Sequence, residues 1–207
     1  MRIAQQGFLY IGILSAVGLL LALYPPTRPL SIPFFVLAAF VTYFFRDPDR
    51  TPPEDPRLWV SPADGTVVYV GPEKEGAGDR IQVSIFLSIF SVHINRSPLS
   101  GTITNVRYTP GRFLPAYREQ ASSQNEQNEM ELTDESSLKV VVRQIAGVVA
   151  RRIVFSKKKD EHLERGERFG LIQFGSRVDV LMPAGTKVRL TKGDHVKGGE
   201  SVMAERP

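Results

Sequence analysis

The sequence predicts a mainly β protein of the α+β kind: a β-rich, sandwich-like domain carried behind an N-terminal apolar helical hairpin. Three observations lead there. The first 45 residues hold two uncharged apolar runs around a proline-rich turn. Residues 46–57 are charged and rich in proline. The remainder is a succession of short runs of Val, Ile, Thr and Phe separated by Gly, Pro and Asp, the composition of strands and turns.

The first apolar run, Gly7 to Tyr24, carries no charge. At about 1.5 Å per residue, a helix of that length approaches the roughly 30 Å apolar thickness of a bilayer. The second, Ile32 to Phe45, is shorter, and "PPTRPLS" between them forces a turn. A second apolar run after the prolines and no small-residue cleavage site before them argue against a removed signal peptide. Arg2 precedes the first run, and Arg46 and Arg50 follow the second, so the positive-inside rule puts both ends, and the rest of the chain, on the cytoplasmic side of the cell membrane. Whether the hairpin crosses the bilayer or only dips into it turns on the short second run.

Residues 1–45 are thus expected to form a membrane-associated hairpin, 46–57 a linker and 58–207 one catalytic domain. A chain of 207 residues with 42% hydrophobic and 23% charged residues suits that organisation and not a disordered one. The net charge of +4 and pI near 9.4 favour an anionic partner such as a phospholipid surface. The chain has no cysteine, which excludes disulfides, thiolate metal sites and a cysteine nucleophile. No fixed-period repeat is visible. The polar stretch Arg118 to Ser137 reads as a long loop with at most a helical turn.

Few residues are equipped for chemistry. Of three histidines, His162 lies in a dense charge run and His195 in a turn-like sequence, both structural in character. His93 ends an apolar run just before a polar turn, where a strand hands a side chain to a cleft; structural and catalytic roles are both open for it. Asp64, in "SPADGTV", read alone is a turn residue. The remaining oddity is "RFGLIQFGSRVDVLMP", an alternating strand pattern interrupted by the chain's only Gly-Ser pair, Gly175-Ser176. Asp64, His93 and Ser176 together would supply an orienting carboxylate, a base and a nucleophile. Ser176 does not stand in a G-x-S-x-G elbow, and no H-E-x-x-H, P-loop or G-x-G-x-x-G occurs, so no metal or nucleotide site is expected.

"FFRDPDR", "VSPADGTV", "SIFLSIFSVHINRSPLSGTI", "NEQNE" and "ERFGLIQFGSRVDVLMP", in this order and spacing, resemble the short-chain, membrane-anchored phosphatidylserine decarboxylases. The resemblance runs from about Phe44 to the end, and the apolar hairpin fits the same group. One departure stands at Phe90, where some longer relatives carry an additional histidine; whatever that histidine does cannot be transferred.

The resemblance implies an inactive proenzyme that cuts itself between Gly175 and Ser176. In that scheme the Ser176 hydroxyl attacks the Gly175 carbonyl, His93 takes the proton, and Asp64 holds and charge-stabilises the imidazole. Elimination and loss of ammonia then leave a pyruvoyl group, derived from Ser176, at the head of a small chain that stays with the larger one. The pyruvoyl group forms a Schiff base with phosphatidylserine and accepts the electrons left by CO2, giving phosphatidylethanolamine. A homodimer and an anionic membrane are the implied partners, and no nucleic acid is. Arg96 and Arg177, beside the motif residues, are expected near the lipid phosphate, "RRIVFSKKK" (151–159) is a candidate headgroup-side patch, and an ether-linked lipid is an alternative substrate. Two other classes fit parts of the sequence: a membrane-tethered adaptor built like a biotinyl or lipoyl module, from "VSPADGTVV" and "VRLTKGDHVKGGESV", and a serine hydrolase acting through Ser176.

Overall fold

The computed structural model describes residues 2–74, 80–116, 120–148, 152–173 and 175–207. Arg118 and Glu119 of the polar stretch, Arg151 of the basic run and Phe174 before the Gly-Ser pair lie outside the described residues. The chain divides into two compact units, 1–49 and 50–207.

In the first unit, β1 (Arg2–Ile3) pairs antiparallel with β2 (Arg46–Asp47) and brackets two helices, α1 (Gln5–Leu23) and α2 (Arg28–Phe44). A 3-10 turn at Pro25–Thr27 joins them. The carbonyls that end α1 are satisfied from the turn: the Thr27 hydroxyl donates to the Leu21 carbonyl at 2.8 Å and the Arg28 Nε to that of Ala22 at 3.2 Å. The second helix begins earlier than the sequence predicts. Pro29 falls in its first turn, where a missing N–H costs nothing, and Pro33 is absorbed within it. Gly7 and Gly18 let aromatic rings approach the α1 backbone: a methyl group on Gly7 would meet Phe45 at 2.8 Å, and one on Gly18 would meet Phe35 at 3.1 Å. Leu9, Leu20, Leu23, Leu30, Ile32 and Val36 remain exposed, and both helical segments are long and apolar enough to cross a membrane.

The second unit is built of strands β3 (Leu58–Val60), β4 (Gly65–Pro72), β5 (Arg80–Leu87), β6 (Ile94–Arg96) and β7 (Gly101–Thr109), a one-turn helix α3 (Ala121–Gln124), then β8 (Gln127–Thr133), β9 (Lys139–Ile145), β10 (Ile153–Phe155), β11 (His162–Leu163), β12 (Arg168–Ile172), β13 (Ser176–Pro183), β14 (Lys187–Val188), β15 (His195–Val196) and β16 (Val202–Glu205). Eight form one antiparallel sheet in the order β11-β7-β8-β9-β13-β5-β4-β15. Two three-stranded sheets, β10-β12-β6 and β14-β16-β3, accompany it.

Period-two alternation sets the core. Val83, Ile85 and Leu87 of β5, Met130 and Leu132 of β8, Val140 and Val142 of β9, and Val178, Val180 and Met182 of β13 are fully buried and cluster with Trp59, Phe169, Ile172 and Met203 from the smaller sheets. A mainly β fold behind an apolar helical hairpin is therefore what the chain adopts. The described part of the polar stretch, 120–137, is not a loop. It contains α3 and a full strand, β8, in which Asn128, Met130 and Leu132 face inward while Gln127, Glu129 and Glu131 face out. The inward Asn128 breaks the apolar half of the alternation, and that is why the strand was hidden in the sequence.

The segment 50–57 lies along this unit. Arg50 bridges Asp64 and Glu200, at 3.0 and 2.8 Å, and the Arg165 guanidinium donates to the carbonyls of Pro53, Asp55 and Leu58.

Candidate active site

Ser176 opens β13, the strand flanked on both sides, by β5 over eight residue pairs and by β9 over five. Its register partner on β5 is Leu87, a core residue, so the Ser176 side chain lies on the core face of the sheet. The serine is fully buried and its Oγ has no hydrogen-bond partner among the described residues. Buried hydroxyls are ordinarily satisfied, so an unsatisfied one at the head of a central strand asks for a chemical reason.

The residue before it has an unusual backbone. Gly175 has φ +66°, in the left-handed region that glycine enters without steric cost, and open space surrounds the position of a β-carbon. Its carbonyl oxygen rests against another glycine: a β-carbon on Gly147 would lie 2.1 Å from that oxygen. Gly147 is set by the end of β9 and by a latch. Asn125 donates from Nδ2 to the carbonyls of Leu114 and Ala146, each at 2.8 Å, and accepts from the Leu114 amide at 2.9 Å.

His93 stands immediately before β6 and is buried. Its Nδ1 lies 2.9 Å from the Ser91 carbonyl oxygen, which can only accept, so Nδ1 carries the proton. Nε2 is thereby left with a lone pair, and the Gly175 amide donates to it at 3.3 Å. The structure thus brings the His93 imidazole, its Nε2 lone pair toward the Gly175 amide, onto the residue whose peptide bond leads into the buried serine.

Asp64 lies in the turn before β4. Its Oδ1 accepts from the Gly198 amide at 2.7 Å and its Oδ2 from Arg50 at 3.0 Å. The same turn joins the strand that begins one residue after His93, because the Arg96 amide donates to the Pro62 carbonyl at 2.9 Å. Around the site runs a chain of buried amides that sequence analysis did not single out. Gln144 Nε2 donates to Asn95 Oδ1 at 2.8 Å, Gln144 Oε1 accepts from Asn128 at 3.5 Å, and Gln144 is the register neighbour of Val178 on β13. Asn95 and Asn128 belong to the "VHINRS" and "NEQNE" motifs, so those motifs were the available signal.

The two arginines expected near phosphate are both buried and engaged. Arg96 donates to the Gly166 carbonyl at 2.9 Å. Arg177 points to the face opposite Ser176. Its Nη2 donates to Asp179 Oδ2 at 3.0 Å and its Nη1 to the Ala116 carbonyl at 3.3 Å; Nε lies 2.9 Å from Asp179 Oδ1, an ion-pair contact outside hydrogen-bond geometry. Gln82 and Ser122 also donate to the fully buried Asp179, each at 3.2 Å. The other histidines lie elsewhere: His195 meets the Thr66 hydroxyl at 2.9 Å, and the exposed His162 lies 3.4 Å from Glu164.

The phosphatidylserine decarboxylase family profile matches residues 37–204. Full-length relatives agree. A phosphatidylserine decarboxylase proenzyme of Geotalea uraniireducens (strain Rf4) is 42% identical over 207 residues, covering 99% of this chain and 97% of the relative. One of Solibacter usitatus (strain Ellin6076) is 45% identical, covering 100% and 98%. A third, of Geobacter sp. (strain M21), is 42% identical over 212 residues. Neither the carrier-module nor the hydrolase reading draws support from these relatives. The motif order, the buried serine behind a left-handed glycine and the matched relatives converge on one conclusion: the chain belongs to the phosphatidylserine decarboxylase family.

Proposed function

We propose that this chain is a proenzyme that cleaves itself between Gly175 and Ser176 and, once processed, decarboxylates phosphatidylserine to phosphatidylethanolamine. The observation that carries the proposal is the buried Ser176 hydroxyl, without a hydrogen-bond partner among the described residues, next to a glycine whose amide is held on His93 Nε2.

The Ser176 Oγ attacks the Gly175 carbonyl carbon while His93 Nε2 removes its proton; the C–N bond breaks, the Ser176 nitrogen is freed as an amine, and an ester replaces the amide. Gly147 leaves the Gly175 carbonyl room to tilt and lengthen as charge builds on its oxygen. Removal of the Ser176 α-proton then expels the Gly175 carboxylate, and hydrolysis of the resulting enamine releases ammonia. A pyruvoyl group derived from Ser176 fits this position, since the residue needs no hydrogen bond from its lost hydroxyl and sits at the head of a strand anchored on both sides. Such a group supplies an electron sink for the carbanion left by departing CO2. His93, fixed by Ser91, is assigned to hold the proton returned to the product carbon. Asp64 is assigned to stabilise the imidazolium, supported by the bonding of its turn to the strand that follows His93.

The apolar hairpin supports a site of action at the cell membrane, and Arg2, Arg46 and Arg50 beside it support a catalytic unit on the cytoplasmic side. Intact mass spectrometry of the purified protein beside Ser176→Ala tests the proposal. A split at Gly175-Ser176, with a blocked small chain of pyruvoyl mass and an uncut variant, is expected. An uncut chain in both samples, folded in lipid, would overturn it.

A further inference from the structure

Tips of tight turns are ordinarily Gly, Pro, Asn, Asp or Ser. The turn Ser88–Ser91 departs from this, with Ile89 and Phe90 at its tip, 41% and 62% exposed. It is braced from below by its serines. The Ser91 amide donates to the Ser88 carbonyl at 2.9 Å, the Ser88 amide to the Ser91 hydroxyl at 3.2 Å, and the Phe90 amide to the Ser88 hydroxyl at 3.3 Å. The turn that carries these two exposed side chains is thus braced rather than frayed.

Their position is specific. The turn joins Leu87, the register partner of Ser176, to Ser91, whose carbonyl orients His93. Among the described residues of this unit, the other large exposed apolar side chains are Val148 and Tyr108. Val148 follows Gly147, on which the Gly175 carbonyl rests. Tyr108 stands on β7 in the register row Asn128, Gln144, Val178, at the same end of the sheet. An exposed cation, Arg152, stands beside the segment that leads into the site: its carbonyl accepts from the Gln173 amide at 3.1 Å, two residues before Gly175. Single exposed hydrophobics need no explanation, but four gathered at the end of the sheet that holds the site do.

We propose that the Ile89-Phe90 turn, with Val148 and Tyr108, forms a membrane-docking rim. It seats in the headgroup and upper acyl region of an anionic phospholipid bilayer, with Arg152 against the headgroups, so that the site opens onto lipid. An apolar wedge beside a cation is the chemistry of interfacial docking, and the apolar helices of the same chain keep this unit near a bilayer. The inference rests on the decarboxylase reading for its purpose, though its first test does not.

The chain has no cysteine, so one can be placed cleanly at a chosen position. The full-length protein is reconstituted in phosphatidylserine/phosphatidylcholine vesicles as Phe90→Cys, Val148→Cys and, from the far end of the sheet, Ser136→Cys, each carrying an environment-sensitive fluorophore. Labels at 90 and 148 are expected to shift to the blue and be quenched by spin-labelled lipids, while the label at 136 is quenched by aqueous iodide. Equal iodide access at all three positions overturns the proposal. So does protection at 90 without lipid quenching, which would mean that a second copy or another protein covers the rim. In turnover, Ile89→Ser/Phe90→Ser should raise the vesicle concentration for half-maximal rate about tenfold. Self-cleavage and turnover of a short-chain, soluble phosphatidylserine should be unchanged. Loss of both substrates equally would refute the docking role, and protected labels on a protein that decarboxylates neither would refute the decarboxylase reading while leaving the rim intact.

Discussion

Gly175 gives its amide proton to Nε2 of His93 across 3.3 Å, while Nδ1 of the same ring is tied to the Ser91 carbonyl at 2.9 Å. One imidazole is thereby locked in tautomer and aimed at the backbone that precedes the buried serine. His93→Gln can still occupy the space but supplies no base. Self-cleavage, followed as the appearance of the small chain with time, should slow by about 10²- to 10⁴-fold, the usual worth of a positioned base. Unchanged kinetics would remove His93 from the reaction.

Gly175 and Gly147 make a contrasting pair. A methyl group on Gly175 meets open space and suffers only from φ +66°, at a cost of roughly 1–2 kcal/mol, so Gly175→Ala should fold and cut about tenfold more slowly. On Gly147 the methyl group would strike the Gly175 carbonyl oxygen itself. Gly147→Ala should therefore displace the scissile carbonyl and cut far more slowly than Gly175→Ala. Cleavage time courses of the two variants, with circular dichroism to confirm folding, settle the order.

Asp179 is fully buried, and its Oδ2 accepts from Arg177, Gln82 and Ser122 while its Oδ1 has only the ion-pair contact with Arg177 Nε. Asp179→Ala strands the Arg177 guanidinium beneath the sheet and should cost about 3–5 kcal/mol, whereas Arg177→Met/Asp179→Leu, which removes both charges, should cost much less. Urea denaturation of the uncleavable Ser176→Ala background measures both without interference from processing.

Acid should weaken the β-rich unit in a defined window. Burial pushes the Glu167 carboxyl up, but Lys157 and the Glu164 amide outweigh it and hold the group below its ordinary 4.5. A carboxyl depressed on folding contributes stability above its unfolded value, lost as pH falls through the folded one. The urea midpoint should accordingly drop below about pH 4.5, the ordinary glutamate value, and Glu167→Gln should flatten that part of the profile. An identical profile in the variant would assign the acid sensitivity to other groups.

After cleavage the small chain would begin with β13, paired to β5 and β9, and carry β15 and β16, paired to β4 and β3. The two chains should co-elute in size-exclusion chromatography in mild detergent and part only in denaturant. Separation under native conditions would contradict the sheet pairing.

The strand-rich domain and the hairpin were legible because apolar runs and period-two alternation leave a direct trace in the sequence. Ser176, His93 and Asp64 were put forward from ordered motifs and not from spacing alone. Other features left little trace. β8 was masked because its inward row includes Asn128, a side chain that finds its partner, Gln144, only on the neighbouring strand. The early start of α2 was masked by Pro29 and Pro33, whose tolerance depends on their place within the helix. The Ser91 carbonyl that fixes His93 is a backbone group, identical in every residue type. The close approach of Gly147 to Gly175 joins points that only the folded sheet brings together.

The pairing of β13 on both edges also bears on when the chain can cut itself. Ser176 meets its register partner Leu87 only once β5 has come to lie beside it, and Gly147 reaches the Gly175 carbonyl only once β9 has closed the other side. A chain that has misfolded has no means of aligning the bond, and one that has cut cannot return to a single chain. On the proposed function, cleavage is therefore an irreversible record of assembly. Each small chain in a cell extract would then certify one molecule that completed its central sheet, and the uncut fraction would read out folding failure without any added probe.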